Sequence, residues 1–195
     1  MKHSAVLITL LVCVSSHAEE RFETGQAARA LIGQSTFTDQ KPGATAELIG
    51  SISGIAYANN TLFVADANRV GASPQNHRVL IYNNVNSFVP GKTDELYFTK
   101  PCPVCNGQAS VVLGQPDFTT VELGLAQNKL RLPTAVASDG KYLAVADTDN
   151  NRVLIWNSIP TSNQANADVV VGQPDFAKAS IPPNNRPTAQ SMRGP

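Results

Sequence analysis

Apolar and polar positions alternate in short blocks along most of the chain. The clearest block is Leu143-Ala144-Val145-Ala146-Asp147-Thr148-Asp149-Asn150-Asn151-Arg152-Val153-Leu154-Ile155-Trp156. Two apolar arms flank the five polar residues 148–152, which predicts strand, turn, strand. An earlier stretch repeats it as Leu62-Phe63-Val64-Ala65-Asp66-Ala67-Asn68, then Asn76-His77-Arg78-Val79-Leu80-Ile81-Tyr82. A unit that occurs twice in one chain defines the architecture before any site is sought.

The neighbouring elements repeat in the same order. Residues 133–138 predict a short strand, and Asp139-Gly140 is a turn signal of the tight-hairpin kind. Residues 141–147 and 152–157 form the next two strands around a turn at 149–151, and 168–171 form a fourth after a polar loop. The first copy has strands at 54–58, 61–66, 78–83 and 110–113, with a turn at Asn59-Asn60. A short apolar run ending in Gly-Gln-x-x-Phe occurs three times, with its glycines at Gly33, Gly114 and Gly172. These glycines are 81 and then 58 residues apart. Seven extra residues within 67–75 and sixteen more before Gly114 account for the difference, since 58 plus 7 plus 16 is 81. Length changes confined to loops between aligned strands are what a shared scaffold produces.

Four short strands per unit, punctuated by Gly, Pro and Asn, predict an all-β chain of four-stranded antiparallel β-propeller blades. A β-sandwich does not require the same unit to recur. Blade 1 spans about 53–114 and blade 2 about 132–172, and the start of a third runs to 195. Residues 29–32 read as an orphan outer strand. Met192-Arg193-Gly194-Pro195 aligns with Leu130-Arg131-Leu132-Pro133 at the opening of a unit. Propellers close with typically 4–8 blades, so the ring is incomplete in this chain. The expectation is an N-terminal fragment of a longer protein, with self-assembly of two-blade chains as the other route to a ring.

Composition narrows the setting. Residues 1–18 carry Lys2 and His3, an apolar run at 5–14, and small residues Ser16 and Ala18 before Glu19, the pattern of a secretory signal peptide. Ten apolar residues are too few for a membrane span, which needs about 20. Val12 before Cys13 disfavours lipidation. Residues 19–28 form a polar lead-in. The predicted product is secreted or periplasmic, and its remaining cysteines, Cys102 and Cys105, read as a disulfide. Net charge is zero, which gives no electrostatic basis for nucleic acid as a partner.

Pro133-Thr134-Ala135-Val136-Ala137, followed by the 143–154 stretch, resembles an NHL repeat. Such repeats open with Pro-x-x-Val-Ala, end a strand in Val-Ala-Asp, and continue with Asn-x-Arg-Val. The resemblance covers about 29–195. The first copy departs by its insertion before Asn76-His77-Arg78, and the third is cut off. The resemblance implies a propeller, usually six-bladed, used as a binding platform. Some relatives are enzymes, among them peptide-amidating lyases and gluconolactonases.

The polar residues mostly recur, which favours structural roles. Asp66 with Arg78, and Asp147 with Arg152 and Asn151, read as a turn network in which a carboxylate and a guanidinium bond across the hairpin. Asp147-x-Asp149-x-Asn151 begins like a calcium loop, but Arg152 and Ser158 stand where its glycine and glutamate belong, so no cofactor is expected. Cys102-Pro103-Val104-Cys105 supplies at most two zinc ligands of the four required. His77 has no nucleophile spacing around it. Asn59-Asn60-Thr61 fits a glycosylation sequon, and its hairpin turn accounts for it without a sugar. Gly-Gln-Pro-Asp-Phe reads as punctuation between blades. The expected function is a secreted binding or scaffold module for a protein or carbohydrate ligand. The alternative is a fragment of a lyase or gluconolactonase-like propeller enzyme whose site lies mostly on missing blades.

Overall fold

A computed structural model describes residues 24–26, 28, 30–67, 75–90 and 107–195. The signal-peptide segment, the Cys102–Cys105 pair and most of the 67–75 insertion lie outside the described residues. The described chain is all-β, with short 3-10 turns at Val85–Ser87, Thr148–Asn150 and Pro183–Asn185 and no α-helix.

Among the described residues, eight strands form two antiparallel sheets. The first contains β1 (Ile52–Ala58), β2 (Thr61–Asp66), β3 (Arg78–Asn83) and β4 (Val111–Leu113). The second contains β5 (Pro133–Ser138), β6 (Leu143–Asp147), β7 (Arg152–Trp156) and β8 (Val169–Val171). In each sheet the spatial order is the sequence order, so every connection is local. The sequence supports this directly: the arms are rich in Val, Ile, Leu and aromatic residues, which fit a pleated surface.

The hairpin tips differ between copies. Ala58 pairs with Thr61 around Asn59 and Asn60, both at positive φ (48° and 59°). This is the tight two-residue turn whose twist matches the strands. In the second sheet the tip runs over 139–142 and is looser than the sequence suggests. Asp139 accepts the backbone N–H groups of Lys141 and Tyr142 at 2.8 and 2.7 Å. That side chain takes over the bonds a longer ladder would make, so β6 begins at Leu143. Asn59 packs on this tip, its amide 3.4 Å from the Gly140 carbonyl.

Each sheet carries a register shift at the same place, between Ile52 and Gly54 in β1 and between Pro133 and Ala135 in β5. The bulged residues are therefore Ser53 and Thr134. A bulge turns its side chains away from the regular alternation, and here it does so at the same end of both inner strands.

The sheets pack face to face and do not close. Phe63, Ala65, Val79 and Ile81 of the first sheet form one buried core with Val136, Leu143, Val145 and Leu154 of the second. Gly54 allows this contact: a Cβ there would stand 3.0 Å from the Ala135 Cα. The far side of the first sheet, with Val64, Leu80, Tyr82 and Val112, is covered by Ile32, Ile49, Val85 and Phe88. Burying each large aliphatic side chain contributes about 1.5–3 kcal/mol, and the repeat duplicates the arrangement.

One expected strand is absent. Residues 30–32 do not form the orphan outer strand; Gly33 instead makes a single parallel bridge to Leu48. An outer strand needs a third strand to bond, and among the described residues none of a preceding sheet is beside it. Ile32 still packs on the first sheet. The equivalent bridge in the next unit joins Gly114 to Lys129. The third unit places Met192 N–H on the Gly172 carbonyl at 3.2 Å. The alignment of Met192 with Leu130 is thus repeated in the backbone.

Candidate functional site

The most polar buried feature is built twice. At the end of β2, Asp66 accepts from the backbone N–H groups of Gly50 and Ser51, both at 3.0 Å, through Oδ1. Its Oδ2 accepts from the Asn76 amide at 2.8 Å and from Arg78 Nε at 2.9 Å. Arg78 continues to the carbonyls of Leu48 (2.7 Å) and Phe118 (2.6 Å). At the end of β6, Asp147 accepts from Arg131 N–H at 2.6 Å, the Asn150 amide at 2.8 Å and Arg152 Nε at 2.7 Å. Arg152 reaches the carbonyls of Ala126 (2.8 Å), Lys129 (3.0 Å) and Phe176.

Both ion pairs are fully buried. A charge taken out of water is tolerated only when its partners replace the lost hydration. Here the guanidinium fork satisfies backbone carbonyls that precede and follow the sheet, and the carboxylate satisfies the turn into the inner strand. Each pair therefore clamps the start and finish of its unit to the central hairpin. Burial raises the Asp147 carboxyl above its ordinary value, and the donors from Arg131, Asn150 and Arg152 offset only part of that rise.

The sequence reading grouped Asn151 with Asp147 and Arg152, but Asn150 occupies that place. Asn151 is left-handed (φ 52°) and serves the following unit: its Oδ1 accepts from Gly194 N–H at 3.0 Å. In the first unit the corresponding residue is His77 (φ 46°), whose Nδ1 accepts from Leu132 N–H at 3.1 Å. His77 is 2% exposed, and burial together with the Arg131 charge holds its imidazole below the ordinary value, against a smaller upward pull from Asp149. Leu132 is itself left-handed (φ 49°). A bulky residue there costs on the order of 1–3 kcal/mol in backbone strain.

The glutamine of Gly-Gln-x-x-Phe has a role that composition did not reveal. Gln34, Gln115 and Gln173 each exchange two hydrogen bonds with the residue seven positions on: Lys41, Glu122 and Ser180. Gln115 and Gln173 also donate to the carbonyls of His77 and Asn151. The recurrence of the glutamine at the 81- and 58-residue spacing was the available signal. Asp117 is bonded by the backbone N–H and hydroxyl groups of Thr119 and Thr120, which depress its carboxyl to about 2. The buried Asn76 Oδ1 and Tyr82 hydroxyl have no hydrogen-bond partner among the described residues.

One open feature among the described residues is a cleft of about 300 Å³ lined by Ser51, Ile52, Ser53 and Thr134. It lies where β1 and β5 begin, so the two bulged residues face it together. Thr134 Oγ1 is bonded to Thr148 Oγ1. At the same end of the second sheet, Arg131 and Asp149 form an exposed ion pair at 3.7 Å. The cleft thus combines hydroxyl donors and acceptors with one apolar side chain.

The calcium-like series is dispersed. Asp147 is committed to Arg152, Asp149 to Arg131 and Asn151 to Gly194. Among the described residues no three His, Cys, Asp or Glu side chains gather as a metal-binding group, and no helix is long and apolar enough to cross a membrane. No protein-family model matches the chain, and no curated protein matches it either.

Proposed function

We propose that the two sheets are consecutive NHL-type units of a β-propeller that serves as a secreted or periplasmic binding module, with a carbohydrate or protein ligand seated at the start of the inner strands. One observation carries this reading: the bulged residues Ser53 and Thr134 occupy the same position in consecutive units and face one cleft. A ring of such units would set a circle of polar side chains around an axis, the usual way a propeller presents a ligand surface. Hydroxyls beside an aliphatic side chain suit a sugar, which offers both hydroxyl edges and a C–H face.

The packing supports a repeating array. Ala144, Ala146, Val153 and Ile155 on the uncovered face of the second sheet correspond to Phe63, Ala65, Val79 and Ile81, which the second sheet covers on the first. A further unit of the same kind would cover them. On the opposite side, Ile55 and Tyr57 of β1 are 64% and 56% exposed. The counterpart of Ile55 in β5, Val136, is instead buried in the core shared with the first sheet. The polar clusters are spent on structure, which favours binding over catalysis as the role of this part of the molecule.

The test is a glycan and peptide array probed with the purified chain, followed by calorimetry on any hit. Saturable binding to a sugar or peptide class, without turnover, is the expected result. Hydrolysis of a lactone or cleavage of a peptide substrate by the same preparation would overturn the reading in favour of an enzyme.

A further inference from the structure

The two copies of the hydrogen-bond network differ at one position in a way that matters chemically. Where the second unit uses Asn151 Oδ1 to accept a backbone N–H of the unit that follows, the first uses His77 Nδ1. Both residues are left-handed, both give their carbonyl to a glutamine amide, and both sit just before the buried arginine. The receiving residues also correspond: Leu132 at φ 49° and Gly194 at φ 52°. Glycine adopts that backbone without penalty. Leucine does so only while its surroundings hold it there.

We propose that His77 is a proton-operated latch at the junction of the two sheets. With Nδ1 unprotonated, it accepts the Leu132 N–H and holds the strained residue that leads into β5. A proton taken up from solvent at Nδ1 turns the acceptor into a donor. The Leu132 N–H then loses its partner inside the junction, and two donors face each other. Burial is the main obstacle to that proton, and the charged groups around the imidazole adjust the balance. Arg131, next to Leu132, opposes a second positive charge, and Asp149 favours it. On its own strand, Arg78 is already engaged by Asp66 and by the Leu48 and Phe118 carbonyls. Asp147 is engaged by Arg152 and by Arg131 N–H. Asp66 and Asp147 are therefore already committed, and Asp149, the carboxylate that favours the imidazolium, is shared with Arg131.

The sign follows from the lowered affinity. The unfolded chain takes up the proton near pH 6.5 while the folded junction resists it. Stability is therefore complete above that value and falls as pH drops towards the folded value. Thr134 in the cleft wall follows Leu132 by two residues, so release of the latch loosens that wall. The latch itself does not depend on what the cleft binds.

The test compares the whole chain with His77→Asn, the residue the second unit already uses. Melting is followed from pH 7.5 to 5.0. The natural protein should lose about 3–5 °C for each tenfold difference in proton affinity between its folded and unfolded forms, and His77→Asn should lack that component. Nitrogen NMR of the natural protein should show His77 titrating below 6.5, and the Leu132 amide should shift with the same midpoint. Parallel pH profiles for the two proteins, or an imidazole titrating at or above 6.5, would overturn the latch. If His77→Asn does not fold, the NMR titration of His77 and Leu132 in the natural protein decides alone.

Discussion

Replacing Arg152 with methionine tests whether the buried clamp holds each unit together. The side chain keeps most of its apolar length and loses its charge and every donor. Asp147 is left as a buried carboxylate whose remaining donors are Arg131 N–H and the Asn150 amide. The carbonyls of Ala126, Lys129 and Phe176 lose the donor that joins them. Breaking a buried pair from one side costs about 3–5 kcal/mol, a large share of the roughly 5–15 kcal/mol that stabilises a typical domain. For a chain of this size that is a fall in Tm of roughly 6–20 °C. Trp156 reports the change, because it is the sole tryptophan, lies buried on the same strand as Arg152, and donates its indole N–H to the Ala165 carbonyl in the loop that leads to β8. Urea titrations read by its fluorescence should also show that Arg152→Lys recovers only part of the loss, since an ammonium cannot reproduce the planar fork. Removing both charges, with Asp147→Leu and Arg152→Met together, should cost less than the sum of the single changes. A loss below about 1 kcal/mol for Arg152→Met, the size expected of a surface pair, would refute the clamp.

Three further outcomes follow from the same geometry. Gln115→Ala should cost about 1–3 kcal/mol, because Glu122 and the His77 carbonyl lose buried partners, and limited proteolysis should then cut within 116–121. Gly114→Ala should destabilise by a comparable amount, since its Cβ would lie 2.7 Å from the His77 carbonyl oxygen at φ +87°; denaturation curves check this. The Asp117 carboxyl should still be ionised at pH 3 and lose its hydrogen bonds only as pH falls through about 2. Carbon NMR of the carboxyl reads that midpoint, which should rise towards the ordinary value in Thr119→Ala with Thr120→Ala.

The eight strands were legible because the signals that make them are local. Apolar arms, Asn-Asn and Asp-Gly tips and the recurring Gly-Gln spacing lie within a few residues of one another. Strands β2, β3 and β5 match the sequence reading to the residue. Residues 30–32 show where that local reading ends. Their composition is that of β4 and β8, yet an edge strand exists only if another strand bonds it, and that condition is not written in the three residues themselves. The tip at 139–142 is a milder case, in which one Asp139 side chain replaced ladder bonds.

The polar network was half legible for a related reason. Recurrence pointed to Asp66 with Arg78 and Asp147 with Arg152, because side chains leave a trace when they repeat. Their other partners are carbonyls of Leu48, Phe118, Lys129 and Phe176, and a backbone carbonyl has no residue type to recognise. Asn150 and Asn151 could not be told apart by spacing. The left-handed turn at Asn151 decides that its neighbour faces the carboxylate. Once the copies are superposed residue by residue, identity between them marks what the scaffold needs. A difference that keeps the bond but changes its chemistry marks a place where function can enter. His77 is such a difference, since it preserves the hydrogen bond made by Asn151 and adds a proton equilibrium to it. The bulged Ser53 and Thr134 differ in another way, since they share an equivalent backbone position and line one cleft with hydroxyls of different bulk.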